Sequence, residues 1–316
     1  MPFAARFARY FASALLVLPA AHAFPQETVF KAEVHLVNVS FNVRSGDGKL
    51  VPGLKADDFD VYEDGVLQKV SSFANEGQLP LTLGLIVDAS SSQDKFLKQH
   101  SKDIEIFLRE TVRPQDQVFA VCFGNRIRLV SDLTSSTPQV MEGLARFDKG
   151  SRDFVEIAPD ETRESGTALN DAIYETSVGK MRSVENRRRA LILFTDGEEN
   201  ASVHDLIDTI AAAQDSDVII YAVRYSDIHH GHLSAHNKFG AQSLNHLATQ
   251  TGGIQFDGLH TNLPDAFDRI GEELRSLYVL SYHSSNKTRD GRFRKVEIRP
   301  KDSSLVVHAK AGYFEQ

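Results

Sequence analysis

Residues 83–93 read LGLIVDASSSQ, an unbroken apolar run that stops on Asp88 and passes at once into Ser90, Ser91 and Ser92. An apolar run without alternation marks a strand covered on both faces, as in a parallel sheet with helices above and below. One plain account of its ending is that Asp88 caps the next helix and that the serines fill a turn. The rest of the chain decides whether the carboxylate has another use.

Downstream, the pattern alternates between strands and helices. Phe96, Leu97, His100, Ile104, Phe107, Leu108 and Thr111 recur at helical spacing and form one apolar stripe. Strands are expected at QVFAVCF (117–123) and RIRLVSDL (126–133), then helices around 137–146 and 168–181. ALILFTDG (190–197) reads as a strand before a helix at 203–214, and DVIIYAVRY (217–225) as another. A helix at 241–250, a short strand at 254–257 and a helix at 263–275 complete the series. Such alternation predicts an α/β fold, a doubly wound and mostly parallel sheet flanked by helices.

The two ends of the chain read differently. In HLVNVSFNVR (35–44), Val37, Val39, Phe41 and Val43 share one face while Asn38, Ser40, Asn42 and Arg44 share the other, as in an antiparallel sheet with one buried side. FDVYEDGVLQKVSSF (59–73) reads as two strands about an Asp64-Gly65 turn. LYVLSYHS (277–284), GRFRKVEIRP (291–300) and SLVVHAKAGY (304–313) are strands between polar turns. Neither end is long enough to enclose a core of its own. They are therefore expected to pair, 24–79 with 275–316, into a small β-sandwich-like domain in which an α/β domain, 80–274, is inserted.

The first residues have their own pattern. Arg6 and Arg9 precede an apolar stretch from Phe11 to Leu18, and Ala21-His22-Ala23 offers the small-x-small pattern of a cleavage site. Residues 1–23 therefore read as a secretory signal, and the mature chain as exported, to the periplasm or beyond it. No cysteine follows to carry a lipid. No later segment is apolar enough to cross a membrane.

With 41% hydrophobic and 25% charged residues, the 316-residue chain is of globular type. Its formal net charge of −8 argues against a nucleic-acid surface. The one basic run, Arg187-Arg188-Arg189, reads as a solvated helix-to-strand junction. Cys122 is the single cysteine, which excludes an intrachain disulfide. It lies in an apolar strand, as a small buried hydrophobe would.

Two strands end on aspartate, at Asp88 and Asp196, and ESGTALNDAIY (164–174) sets Thr167 after Gly166 and just ahead of a helix. In open α/β sheets, ligands bind beyond the carboxyl ends of strands where the strand order switches. That rule would gather Asp88, Ser90, Ser92, Thr167 and Asp196. Oxygen donors without His or Cys suit Mg²⁺ or Mn²⁺ rather than zinc. Two carboxylates leave such an ion incompletely neutralised, with an open position for an external carboxylate.

The D-x-S-x-S of Asp88, Ser90 and Ser92, with Thr167 and Asp196 later in the chain, resembles the metal-ion-dependent adhesion site (MIDAS) of the von Willebrand factor A domain, over about 80–274. The resemblance implies a Mg²⁺ held by Asp88, Ser90 and Ser92 on one loop. It implies direct contact from Thr167 in the ligand-competent state, and contact from Asp196 directly or through water. It also implies a protein partner that supplies a Glu or Asp. The flanking β segments extend the likeness to a family of exported, acidobacterial-type von Willebrand A-related proteins.

Two stretches depart from the family pattern. The approach to Thr167 over 148–165 is long, and DIHHGHLSAHNK (227–238) carries His229, His230, His232 and His236. The histidines read as a polar loop, with a transition-metal site as the alternative. Three functions stand against one another: a non-enzymatic binding module, a Mg²⁺-dependent phosphoryl hydrolase or subunit of an enzyme complex, and a structural envelope protein. The hydrolase lacks a G-x-x-x-x-G-K-S/T phosphate loop and a Lys at either strand end, so the binding module is expected.

Overall fold

The computed structural model describes residues 36–75, 77, 79–157, 165–226, 228–229 and 232–315; of Ile228, His229 and His232 the backbone alone is described. The expected signal at 1–23, the residues up to 35 and His230 lie outside the described residues.

The chain opens with β1 (Leu36–Ser45), β2 (Phe59–Glu63), β3 (Val66–Gln68) and β4 (Val70–Asn75). An α/β series follows: β5 (Leu81–Asp88), α1 (Leu97–Thr111), β6 (Gln117–Phe123), β7 (Ile127–Thr134), α2 (Thr137–Asp148) and β8 (Val155–Glu156). It continues through α3 (Leu169–Glu175), β9 (Arg188–Thr195), α4 (Leu206–Asp215) and β10 (Val218–Arg224). A two-strand hairpin, β11 (Ile228–His229) and β12 (His232–Leu233), precedes α5 (Ala235–Thr251), β13 (Gln255–Asp257) and α6 (Leu263–Arg275). The last strands are β14 (Tyr278–His283), β15 (Phe293–Pro300), β16 (Leu305–Ala309) and β17 (Gly312–Phe314).

The central sheet has seven strands in the order β13-β10-β9-β5-β6-β7-β8. The first five are parallel, and β7 and β8 add an antiparallel edge. All eight residues of β5 are buried. Leu83, Leu85 and Val87 pack with Ile104 and Phe107 of α1 and Phe267 of α6. Ile86 belongs to the opposite core, with Leu169, Ile210 and Leu244. That two-sided burial is why the run at 83–88 does not alternate. Each such side chain contributes about 1.5–3 kcal/mol relative to exposure. The chain leaves β5 toward β6 on one side and later returns to β9 on the other, so the order switches at the carboxyl end of β5.

Two antiparallel sheets, β16-β1-β14-β4 and β17-β15-β2-β3, draw strands from both ends of the chain. They share a core that includes Val37, Val39, Phe41, Val61, Tyr282 and Ile298. Val37, Val39, Phe41 and Val43 occupy the buried face of β1, as the alternation predicts.

Several local readings change. The second strand of the 59–73 hairpin breaks at Lys69: Val66–Gln68 pairs with β2, while β4 crosses into the other sheet beside β14. The turn itself holds, with Asp64 and Gly65 both at positive φ. The helix expected at 168–181 is α3 followed by a π-helical turn, Thr176–Met181. The helix expected at 241–250 begins at Ala235, where Ser234 Oγ accepts from Asn237 N. Its first turns carry no apolar stripe, since Phe239 is 65% exposed, so periodicity could not announce them.

The arginine run is not a solvated junction. Arg187 donates to Thr82 Oγ1 and to the Leu81 and Gln115 carbonyls. Arg189 donates to the Ser216 and Val184 carbonyls. Arg188 is buried and reaches Ser40 Oγ of β1 at 3.0 Å. Carbonyls at the base of the sheet need donors, and a guanidinium with five N–H groups supplies several at once.

Candidate metal centre

The carboxyl ends of β5 and β9 place Asp88 and Asp196 on neighbouring strands. Asp88 is fully buried. Its Oδ1 accepts from Ser90 N at 2.9 Å and its Oδ2 from Thr195 Oγ1 at 2.5 Å. Thr195 Oγ1 in turn accepts from Gly197 N. The helix-cap account of Asp88 does not hold. A 3₁₀ turn, Ser91–Phe96, starts after Ser90, and no side chain caps it.

The serines form the next layer. Ser90 Oγ and Ser92 Oγ stand 3.1 Å apart, and Ser92 Oγ donates to Asp196 Oδ2 at 2.8 Å. That proton assignment makes Ser92 Oγ the acceptor from Ser90 Oγ and leaves it one lone pair to meet a cation. Asp196 is also fixed by Gln93 Nε2, 2.8 Å from the same Oδ2, and by Glu198 N, 2.9 Å from Oδ1. Gly197 sits at φ +83, and a Cβ there would lie 2.5 Å from the Gly240 carbonyl oxygen, so α5 packs directly on this turn.

Thr167 stands beside this group, on the loop ahead of α3. Its N–H donates to Asn200 Oδ1 at 2.8 Å, and its carbonyl accepts from Asn200 N. The next residue, Ala168, donates to the Gly124 carbonyl; the preceding Phe123 carbonyl accepts from Ala89 N. Backbone bonds therefore tie the Thr167 loop to the Asp88 loop. Gly166, at φ +108, lets the chain pass where a Cβ would lie 2.7 Å from Ala201 Cβ and from Asn200 Oδ1. Direct hydrogen bonds link Ser90, Ser92 and Asp196. Asp88 joins them through the Ser90 amide, and Thr167 through backbone alone.

Electrostatics follow from this packing. Burial is the main cause that pushes the Asp88 carboxyl up to about 7. Donors from Ser90 and Thr195 oppose it, and the nearby Asp196 charge adds to it. Two carboxylates and two serine hydroxyls stand together with no His or Cys among them, a donor chemistry that fits a hard divalent cation. Among the described residues, no group of three or more His, Cys, Asp or Glu side chains is arranged to hold a metal. A cation here would thus rely on hydroxyls for much of its coordination.

Sequence reasoning missed the supports. Gln93 is fully buried, and its place right after Ser92 was the one available signal. Thr195 is the single hydroxyl in the apolar run of β9. Asp171 accepts from Val203 N, His204 N and His204 Nδ1, and Glu199 accepts from Asn170 N, Ala201 N and Ser202 N. These bonds knit the loop after Asp196 to α3. Of the histidine group, His236 lies on α5 with Nε2 3.5 Å from Glu198 Oε1. Of the 148–165 approach, β8 pairs with β7, and 158–164 lie outside the described residues. Cys122 is buried in β6, and burial pushes its thiol pKa up, away from a nucleophile's range.

Among solved structures, the chain is similar to an aerotolerance-related membrane protein from Bacteroides fragilis, at 17% identity and a TM-score of 0.43, covering 61% of this chain and 98% of that one. It is similar to the SpRpn10 VWA domain at 12% identity and a TM-score of 0.41, covering 59% and 93%. It is also similar to proximal thread matrix protein 1 from the mussel byssus, solved with a zinc-occupied MIDAS motif. There the identity is 15%, the TM-score 0.44 and the coverage 67% and 50%. No curated protein matches the chain. Among the described residues, no helix is long and apolar enough to cross a membrane. Residues 83–256, more than half of the chain, match the model of the von Willebrand factor type A domain. That span runs from β5 through β13 and contains all five candidate residues; the chain belongs to the von Willebrand factor type A domain family.

Proposed function

We propose that this chain is an exported, non-enzymatic binding module that captures an acidic side chain of a protein partner through a divalent cation. Asp88, Ser90 and Ser92 would hold the ion, with Thr167 binding it directly in the ligand-competent state and Asp196 directly or through water. Bound there, Mg²⁺, or Mn²⁺ in its place, supplies a Lewis-acidic position for a Glu or Asp carboxylate. The observation that carries this reading is the order of the hydroxyls. Ser92 gives its proton to a fixed Asp196 and stands 3.1 Å from Ser90 Oγ, beside a buried Asp88. A solvated Ser-rich turn has no reason to be ordered against two aspartates.

Capture is favoured over turnover by what surrounds the five residues. Among the described residues, the side chains of Asp88, Ser90, Ser92 and Asp196 bond to one another, to Thr195, to Gln93 and to backbone amides. No Lys or His stands among those partners to act as a base or to steady a transferred phosphate. The α/β part, 80–274, would carry the site. The terminal segments, 24–79 and 275–316, would form its β support.

The test is a pull-down from the source cell's envelope and culture medium with mature protein as bait. It compares Mg²⁺, EDTA, and Asp88→Ala in Mg²⁺. A partner retained by the wild type in Mg²⁺ alone supports capture through the cation. A partner held equally in all three moves binding away from this site.

A further inference from the structure

We propose that a cavity at the amino end of the central sheet binds a free α-amino acid with an apolar side chain, its carboxylate on Lys310 and Arg182 and its ammonium on Asp217. The site is separate from the metal centre and does not rest on it. Asp217 immediately precedes β10, whose last residue, Arg224, lies beside Thr195. The length of that strand, about 20 Å, separates the cavity from the paired aspartates. Four parts of the chain wall it: Leu36 opens β1, Arg182 follows the π-helical turn, Gln214 and Asp215 close α4 just before Asp217, and Lys310 links β16 to β17.

Size and charge select the ligand. The cavity has a volume of about 230 Å³, and sites for drug-sized ligands run from about 300 to 1,000 Å³, so the occupant is small. Arg182 and Lys310 are cationic, Asp215 and Asp217 anionic. A ligand with net charge meets repulsion from one pair, whereas a zwitterion meets attraction from both. Among the described residues, the side chains of Arg182, Lys310 and Asp217 make no hydrogen bond or ion pair. Burial lowers the pKa of the Lys310 ammonium, and the charges of Asp217 and Asp215 oppose that shift. A carboxylate bound beside Lys310 would favour its charged form further.

Two residues carry costs that such a ligand would offset. Gln214 is 4% exposed, and its Nε2 donates to the Gln250 carbonyl at 2.8 Å. Its Oε1 is buried with no partner among the described residues, and an unpaired buried oxygen is destabilising; an ammonium group is the donor it lacks. Asp217 sits at φ +50, just past the end of α4. Glycine takes that conformation without steric cost, so what the position gains is a carboxylate at the cavity. Leu36, 45% exposed, and Phe314 supply an apolar wall for the ligand's side chain.

The experiment is calorimetric titration of the mature protein with L-valine, L-leucine, L-methionine and L-phenylalanine. The amine and the acid made by removing the carboxylate or the ammonium of the best binder are then titrated in turn. At least one amino acid is expected to bind, and each single-charge analogue to bind about tenfold more weakly or worse, since each loses a charge-assisted bond. Asp217→Asn and Lys310→Met should each weaken the amino acid by a similar factor, with unfolding temperatures measured without ligand as the folding control. Arg182→Ala, at an exposed position, takes the place of Lys310→Met should that variant not fold. No binding of any of the four amino acids, an analogue that binds as tightly as its parent, or undiminished binding by the folded variants overturns the inference.

Discussion

Lowering the pH should destabilise this protein through His100, and by a calculable amount. His100 lies on α1 and is 1% exposed. Its ring packs against Tyr225 at 4.4 Å between centroids, with Phe96 and Phe194 at 6.5 and 6.3 Å. Neither ring nitrogen has a partner among the described residues. Burial alone lowers its pKa from 6.5 to about 4. The folded value lies below the unfolded one, so between pH 6.5 and 4 the unfolded chain binds more protons and stability falls as pH falls. At about 1.36 kcal/mol per pH unit, that interval corresponds to about 3 kcal/mol lost by pH 4. Urea unfolding of wild type and His100→Leu at pH 7.5, 6, 5 and 4 isolates the effect, because carboxylates titrate in both. Wild type should lose about 3 kcal/mol more than the variant over the range. Parallel pH profiles would refute the argument and show a partner or a hydrated path to the imidazole.

Other consequences are as direct. Asp116, itself fully buried, accepts from Leu81 N, Arg113 N and, at 2.6 Å, Arg275 Nη2; Asp116→Ala removes the counter-ion of that guanidinium, leaves it on the Thr111 carbonyl, and should cost about 3–5 kcal/mol in urea unfolding. Gly166→Ala drives a Cβ into Ala201 and Asn200 beside Thr167 and should weaken Mg²⁺ binding severalfold. Gly150→Ala, at φ +94 but with nothing within 4 Å, should cost about 1 kcal/mol of stability and leave Mg²⁺ affinity unchanged; equal effects in calorimetry would contradict the role given to the Thr167 loop. Cys122 should resist a thiol reagent in the native protein and react promptly in denaturant, and rapid native labelling would contradict its burial.

The fold was legible where the physics was local and repeated. The unbroken run at 83–88, the stripe on α1 and the alternation of β1 each encode a burial pattern. The break at Lys69 was not legible, because the sheet that β4 joins is decided by β14, some two hundred residues away. The start of α5 was hidden for a related reason: its first turns rest on a side-chain cap rather than on a buried stripe. The arginine run misled because charge reads as solvent, whereas the Leu81, Gln115 and Ser216 carbonyls that Arg187 and Arg189 satisfy lie on other segments.

The candidate site divides in the same way. Asp88, Ser90, Ser92 and Asp196 could be named as candidates because strand-ending aspartates and a D-x-S-x-S spacing are local, and Thr167 because it follows Gly166 just ahead of a helix. The residues that hold them, Thr195 on Asp88 and Gln93 on Asp196, act across strands. No spacing rule reports such a contact.

The central claim is that Asp88 anchors a cation, and calorimetric titration of Mg²⁺ into the metal-free mature protein and its Asp88→Ala variant tests it most directly. The account predicts one ion bound by wild type and none by the variant, with both proteins folded. No binding by wild type, or equal binding by the two, would contradict it.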